Sequence, residues 1–263
     1  METLIIVFMS VAGFLLLAML LFRKKSSPDR VDAIPDSYKI ILAQQVEFYK
    51  LLDEEKKKEF ENRLMQFLSK VRITGVKTVV EDLDKVLIAS SAIIPIFAFP
   101  EWEYINLNEV LLYPDAFNQD FEQHGAERSI AGIVGEGAYE DVMILSQLEL
   151  REGFLNKTGK TNTAIHEFVH LVDKTDGSTD GIPESILSRQ YILPWLELMQ
   201  RKIKQVAGQR SDIDPYAATN PAEFLAVVSE YFFERPDLLK TRQPELYELL
   251  ATIFRQKPGT EVK

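Results

Sequence analysis

The chain has 263 residues, 46% of them hydrophobic and 27% charged, which is ordinary for a folded protein and long enough to bury a sizeable core. Its formal charge of −10 argues against direct nucleic-acid binding, because phosphate contacts need clustered Lys and Arg. Cysteine is absent, which excludes disulfides, thiolate metal sites and thiol catalysis, so any metal must be held by His, Asp or Glu.

Leu4 to Phe22 is an uncharged run of apolar and small residues, long enough as a helix to cross a bilayer core. Arg23-Lys24-Lys25 follows at once. No basic residue precedes the run and no small-x-small cleavage site ends it, which argues against a secretory signal. Residues 1–25 are therefore expected to be one transmembrane anchor with its basic flank, leaving the remaining chain in the cytoplasm by the positive-inside tendency. Residues 26–35 are polar and broken by Pro28 and Pro35, and read as a linker.

Residues 36–255 are expected to form one domain. Helices are expected from near Asp36 and again from Asp53 to about Val71, and Val76–Val80 reads as a strand from its β-branched residues. Asp82 to Phe99 reads as a buried helix, and Tyr104–Leu107 with Val110–Tyr113 as a strand pair or one bent strand. His124 lies in a polar stretch with the character of a surface loop. Gly132 to Gly137 lacks the register of a dinucleotide fingerprint. Val142–Leu145 is a further expected strand; such strands could wall a cleft, and an exposed edge could accept an extended peptide.

His166-Glu167-Phe168-Val169-His170 uses two of the three histidines. Histidines four apart on a helix project from nearly one face, so both can ligate one Zn²⁺ while the intervening Glu167 acts on water. Thr161 or Asn162 is the candidate N-cap, and Asp173 is placed to brace a ligand histidine or simply to end the helix. Asp176-Gly177 through Pro183 is a loop, and Ile186–Val206 holds one or two helices interrupted near Pro194. For the third ligand, Glu223 is favoured, on a helix started by Pro221 and otherwise largely apolar there, where a carboxylate is costly unless coordinated. Glu230 competes on the same face, and Asp176 competes by a compact spacing that lacks the usual glycine. Pro244–Phe254 reads as a last packing helix, and residues 256–263 as a loose tail.

His166-Glu167-x-x-His170-x-x-Asp173, then Tyr216 and Asn220-x-Ala222-Glu223-Phe224-x-Ala226, resembles the Mlc titration factor family of zinc metallopeptidases, with catalytic-site similarity to the anthrax lethal factor protease domain. The resemblance implies an α+β, mainly helical, zincin-like domain with a small sheet beside the H-E-x-x-H helix. It implies His166, His170 and Glu223 as zinc ligands, Glu167 as general base and Tyr216 as hydroxyl donor to the transition state. A membrane-anchored zinc peptidase with a peptide or protein substrate is the leading expectation. The rival is a regulatory module that sequesters a protein partner, its zinc site structural or vestigial. No G-x-S-x-G elbow supports a serine hydrolase.

Overall fold

The computed structural model describes residues 33–116, 132–134, 141–156 and 158–259. The Leu4–Phe22 run and His124 lie outside them. No helix among the described residues is long and apolar enough to cross a membrane.

The domain is mainly helical around a small mixed sheet, matching the expected class. In chain order it comprises α1 (Asp36–Gln45), α2 (Glu47–Lys50), α3 (Glu54–Lys70), β1 (Arg72–Gly75), α4 (Asp82–Ile96), β2 (Glu109–Tyr113), β3 (Gly132–Val134), β4 (Val142–Ser146) and α5 (Gln147–Leu155). Then follow α6 (Thr163–Asp173), α7 (Ile192–Ala207), α8 (Pro221–Glu234), α9 (Pro236–Arg242) and α10 (Pro244–Phe254). The sheet order is β1-β2-β4-β3; β1, β2 and β4 run parallel, and β3 pairs antiparallel to β4 at one edge. Met143, Ile144 and Leu145 of β4 are all buried, as a strand covered on both faces requires.

Local chemistry explains the helix starts and the anchoring of α4. Asp53 caps α3 by accepting from Lys56 N–H at 2.8 Å. Glu81 and Asp84 close a capping box on α4, and the buried Asp84 is held by Arg151 Nε at 2.7 Å. Arg63, itself buried, donates to the carbonyls of Ile96 and Phe97 at 3.0 and 2.9 Å, satisfying the end of α4 where Pro95 disturbs the ladder.

Four sequence expectations are corrected. The first strand is Arg72–Gly75, not Val76–Val80. The backbone doubles back so tightly that a Cβ on Gly75 would lie 2.3 Å from Thr78 O, and the Thr78 hydroxyl and Val79 carbonyl are tied to Gln147. Tyr104–Leu107 is not a strand. Its side chains brace helices instead, Tyr104 Oη donating to Ala92 O at 2.7 Å and Asn106 Nδ2 to Leu171 O at 3.2 Å. Pro194 does not interrupt a helix; it sits in the first turn of α7, where its missing N–H has no partner to lose. Finally, the chain beyond Arg255 is not loose through Gly259, since Gln256 Nε2 donates to Ile94 O at 2.8 Å and Pro258 O accepts from Tyr247 Oη at 2.9 Å.

Candidate metal centre

Two packed helices present the site. Asn162 caps α6, its Oδ1 accepting from Ile165 N–H at 3.2 Å, which resolves the choice between Thr161 and Asn162. Asn220 caps α8 in the same way, accepting from Glu223 N–H at 2.9 Å, with Pro221 in the first turn as expected. The helices pack against each other, so His166 and His170 of α6 face Glu223 of α8.

One ligand atom each from His166, His170 and Glu223 lies within 4.8 Å of the others. Glu223 Oε2 is 2.9 Å from His166 Nε2 and 3.5 Å from His170 Nε2, so one carboxylate oxygen sits between both imidazoles. Two neutral imidazoles and a carboxylate are a donor set that would suit a borderline divalent ion such as zinc. These residues can hold a metal.

The electrostatics reflect that convergence. Burial alone would raise Glu223, but hydrogen bonds from His166 and His170 outweigh it and hold its carboxyl down at about 2. Burial alone would lower His166, but its bonds to Glu223 and Glu230 outweigh that and raise it to about 10. A proton and a metal ion therefore compete for the same imidazole and carboxylate atoms.

Glu230 is not drawn into the ligand group. Its Oε1 lies 2.7 Å from His166 Nδ1, on the ring edge facing away from Glu223, and its Oε2 accepts from the backbone N–H of Asn162. Asn162 Nδ2 in turn donates to Glu234 Oε1 at 2.8 Å. The α8 carboxylates Glu230 and Glu234 thus fix the cap of the histidine helix and the orientation of its first histidine.

Glu167 is buried, only 6% exposed, beside these groups. Burial raises its carboxyl, and the two histidines pull it partly back. Its side chain lies against edge strand β3 so closely that a Cβ on Gly132 would meet Glu167 Cγ at 2.7 Å and Oε1 at 2.8 Å. Sequence pattern does not reveal this role of Gly132; a three-residue strand beside glycine carries too little signal.

Tyr216 lies in the single turn Pro215–Ala218, 53% exposed, its ring centroid 6.1 Å from that of His166. Its hydroxyl is raised by burial and then by the charges of Glu223 and Glu167. Asp176 is turned elsewhere, accepting from the backbone N–H groups of Ser178 and Glu184. Asp173 does not brace a histidine. Its Oδ2 accepts from Gly181 N–H at 2.8 Å and pins the loop that follows α6.

Comparison with known proteins identifies relatives of the chain. Residues 21–255 match the family model described as glucose-regulated metallo-peptidase M90. An uncharacterized protein of Synechocystis sp. is 29% identical over 243 residues, 86% of each chain. Mlc titration factor A of Salmonella arizonae is 30% identical over 218 residues, covering 75% of this chain and 82% of that protein. The protein of that name in Serratia proteamaculans is 34% identical over 163 residues, covering 57% and 61%. By the match over residues 21–255, the chain belongs to the glucose-regulated metallo-peptidase M90 family.

Proposed function

We propose that the chain is a zinc-dependent peptidase that uses Glu167 as general base. The observation carrying this reading is the burial of Glu167 between the His166–His170–Glu223 group and edge strand β3. His166, His170 and Glu223 would hold the zinc, which when bound would supply Lewis acidity toward the scissile carbonyl and toward water.

The chain's own groups do the rest. Glu167, its carboxyl raised but still drawn down by the two histidines, accepts a proton from the attacking water. It then delivers that proton to the departing amine nitrogen. Tyr216, on a half-exposed turn above His166, donates its hydroxyl proton in a hydrogen bond to the developing oxyanion. Strand β3 ends the sheet among the described residues, so an extended peptide added there would lie alongside Glu167.

A second reading rests on the name Mlc titration factor carried by relatives: this chain sequesters a regulatory protein, and the metal group is structural or vestigial. The Leu4–Phe22 run adds to either reading a single-pass anchor with the domain on the cytoplasmic side, testable by membrane fractionation and protease accessibility. Incubating the purified full chain with a peptide library, with zinc or with chelator, separates the two readings. Zinc-dependent cleavage supports the peptidase, whereas partner capture without cleavage supports sequestration.

A further inference from the structure

The two helices that carry the ligand group are tied together twice. At the start of α6, Asn162 is held by Glu230 and Glu234 of α8. From the end of α6, Asp173 reaches α8 through one residue of the following loop, Gly181. His166 and His170 lie between Asn162 and Asp173, and Glu223 lies between Pro221 and Glu230. Each helix thus carries its ligands between two points of attachment.

The Gly181 attachment is closed on three sides. Its N–H donates to Asp173 Oδ2 at 2.8 Å, and its carbonyl accepts from Trp195 Nε1 of α7 at 2.6 Å. Asp173 and Trp195 are both buried, so each bond is made away from water, where an unmet partner is costly. The third side is Pro221, in the first turn of α8 and two residues before Glu223. Gly181 has φ 78°, a left-handed backbone that glycine adopts freely, and a Cβ on it would lie 2.7 Å from the Pro221 carbonyl carbon.

Trp195 continues the contact along α8, its ring centroid 5.9 Å from that of Phe224, the neighbour of Glu223. Residues 176–180 of the loop are exposed, whereas Gly181 is buried. The fixed point is therefore Gly181 and not the loop as a whole. Any shift of the first turn of α8 would carry Glu223 with it and move its Oε2 from between the two imidazoles.

We propose that Asp173, Gly181 and Trp195 are positioning residues that set the spacing of Glu223 from His166 and His170, and through it the affinity of the group for a divalent ion. This rests on the reading of those three side chains as metal ligands.

The test is Co²⁺ binding to the full-length chain, read by visible absorption and by competition with a chromophoric chelator. Gly181→Ala, Asp173→Ala and Trp195→Phe are compared with Asp173→Asn, which keeps an acceptor for Gly181 N–H. Leu42→Ala, a buried truncation in α1, controls for lost stability alone. The first three are expected to bind Co²⁺ at least about tenfold more weakly, with altered absorption, as when outer partners of metal ligands are lost. Asp173→Asn is expected to bind as the wild type does. Leu42→Ala is expected to melt lower in the metal-free form with its Co²⁺ affinity unchanged. Circular dichroism confirms that each variant is folded; should Gly181→Ala not fold, Asp173→Ala and Trp195→Phe decide. Wild-type affinity and absorption in those folded variants, or an equal loss in Leu42→Ala, overturns the proposal alone. A wild-type chain that takes up no Co²⁺, or a Glu223→Ala variant that binds it equally well, overturns the ligand reading beneath it.

Discussion

Glu230 grips His166 from behind, Oε1 at 2.7 Å from Nδ1, while Glu223 faces the same ring through Nε2 at 2.9 Å. The two glutamates lie seven residues apart on α8 and take opposite edges of one imidazole. A carboxylate at Nδ1 fixes the proton there, leaves Nε2 as a ligand lone pair and raises its basicity. Glu230→Gln is therefore expected to weaken metal affinity by about 10- to 100-fold, measured by competition with a chromophoric chelator. Unchanged affinity would reduce Glu230 to a helix-packing role.

Glu223→Ala removes the oxygen that sits between both histidines. Elemental analysis is expected to show metal in the wild-type protein and little or none in the variant, with helix content preserved. Undiminished metal would reassign the third ligand.

Gly132 bears on the chemistry without ligating anything. A methyl group there would meet Glu167 Cγ at 2.7 Å, so Gly132→Ala must push the carboxylate out of position. Displacements of order 1 Å in catalytic groups cost up to about 100-fold in rate, so peptide turnover is expected to drop by at least tenfold with metal content intact. Loss of metal together with activity would instead place the damage in the ligand group.

Asp173 supplies a pH dependence. Burial raises its carboxyl to about 7, and its Oδ1 is buried with no hydrogen-bond partner among the described residues. The folded chain thus holds a proton that the unfolded chain releases near the ordinary Asp value of about 3.9. The stability tied to that proton is complete below the unfolded value and is lost as pH rises through about 7. Asp173→Asn keeps an acceptor for Gly181 N–H and carries no charge. In thermal melts of metal-stripped protein, the variant is expected to gain on the wild type between pH 5 and pH 8. A difference that stays constant across that range would show that Asp173 is ionised throughout.

The parts of this protein written in short-range chemistry are legible in its sequence. The four-residue histidine spacing, the Asn220-Pro221 helix start and the carboxylate at Glu223 each follow from helix geometry, and the structure brings them together. The division of labour between Glu223 and Glu230 is not legible that way, because residues seven apart share a face and only packing against α6 decides which meets which ring nitrogen. Val76–Val80 misleads because β propensity is weaker than the tight turn at Gly75. The C-terminal segment misleads because its anchors, Ile94 and Pro95, lie about 160 residues away in sequence.

The central claim is that Glu167 performs chemistry at a metal held by His166, His170 and Glu223. It is tested most directly by comparing metal content and peptide turnover in the same preparations of wild type and Glu167→Gln. Both proteins are expected to carry equal metal, and the variant is expected to lose turnover by about 100-fold or more, as removal of a general base requires. A variant with full metal and full turnover would contradict the claim.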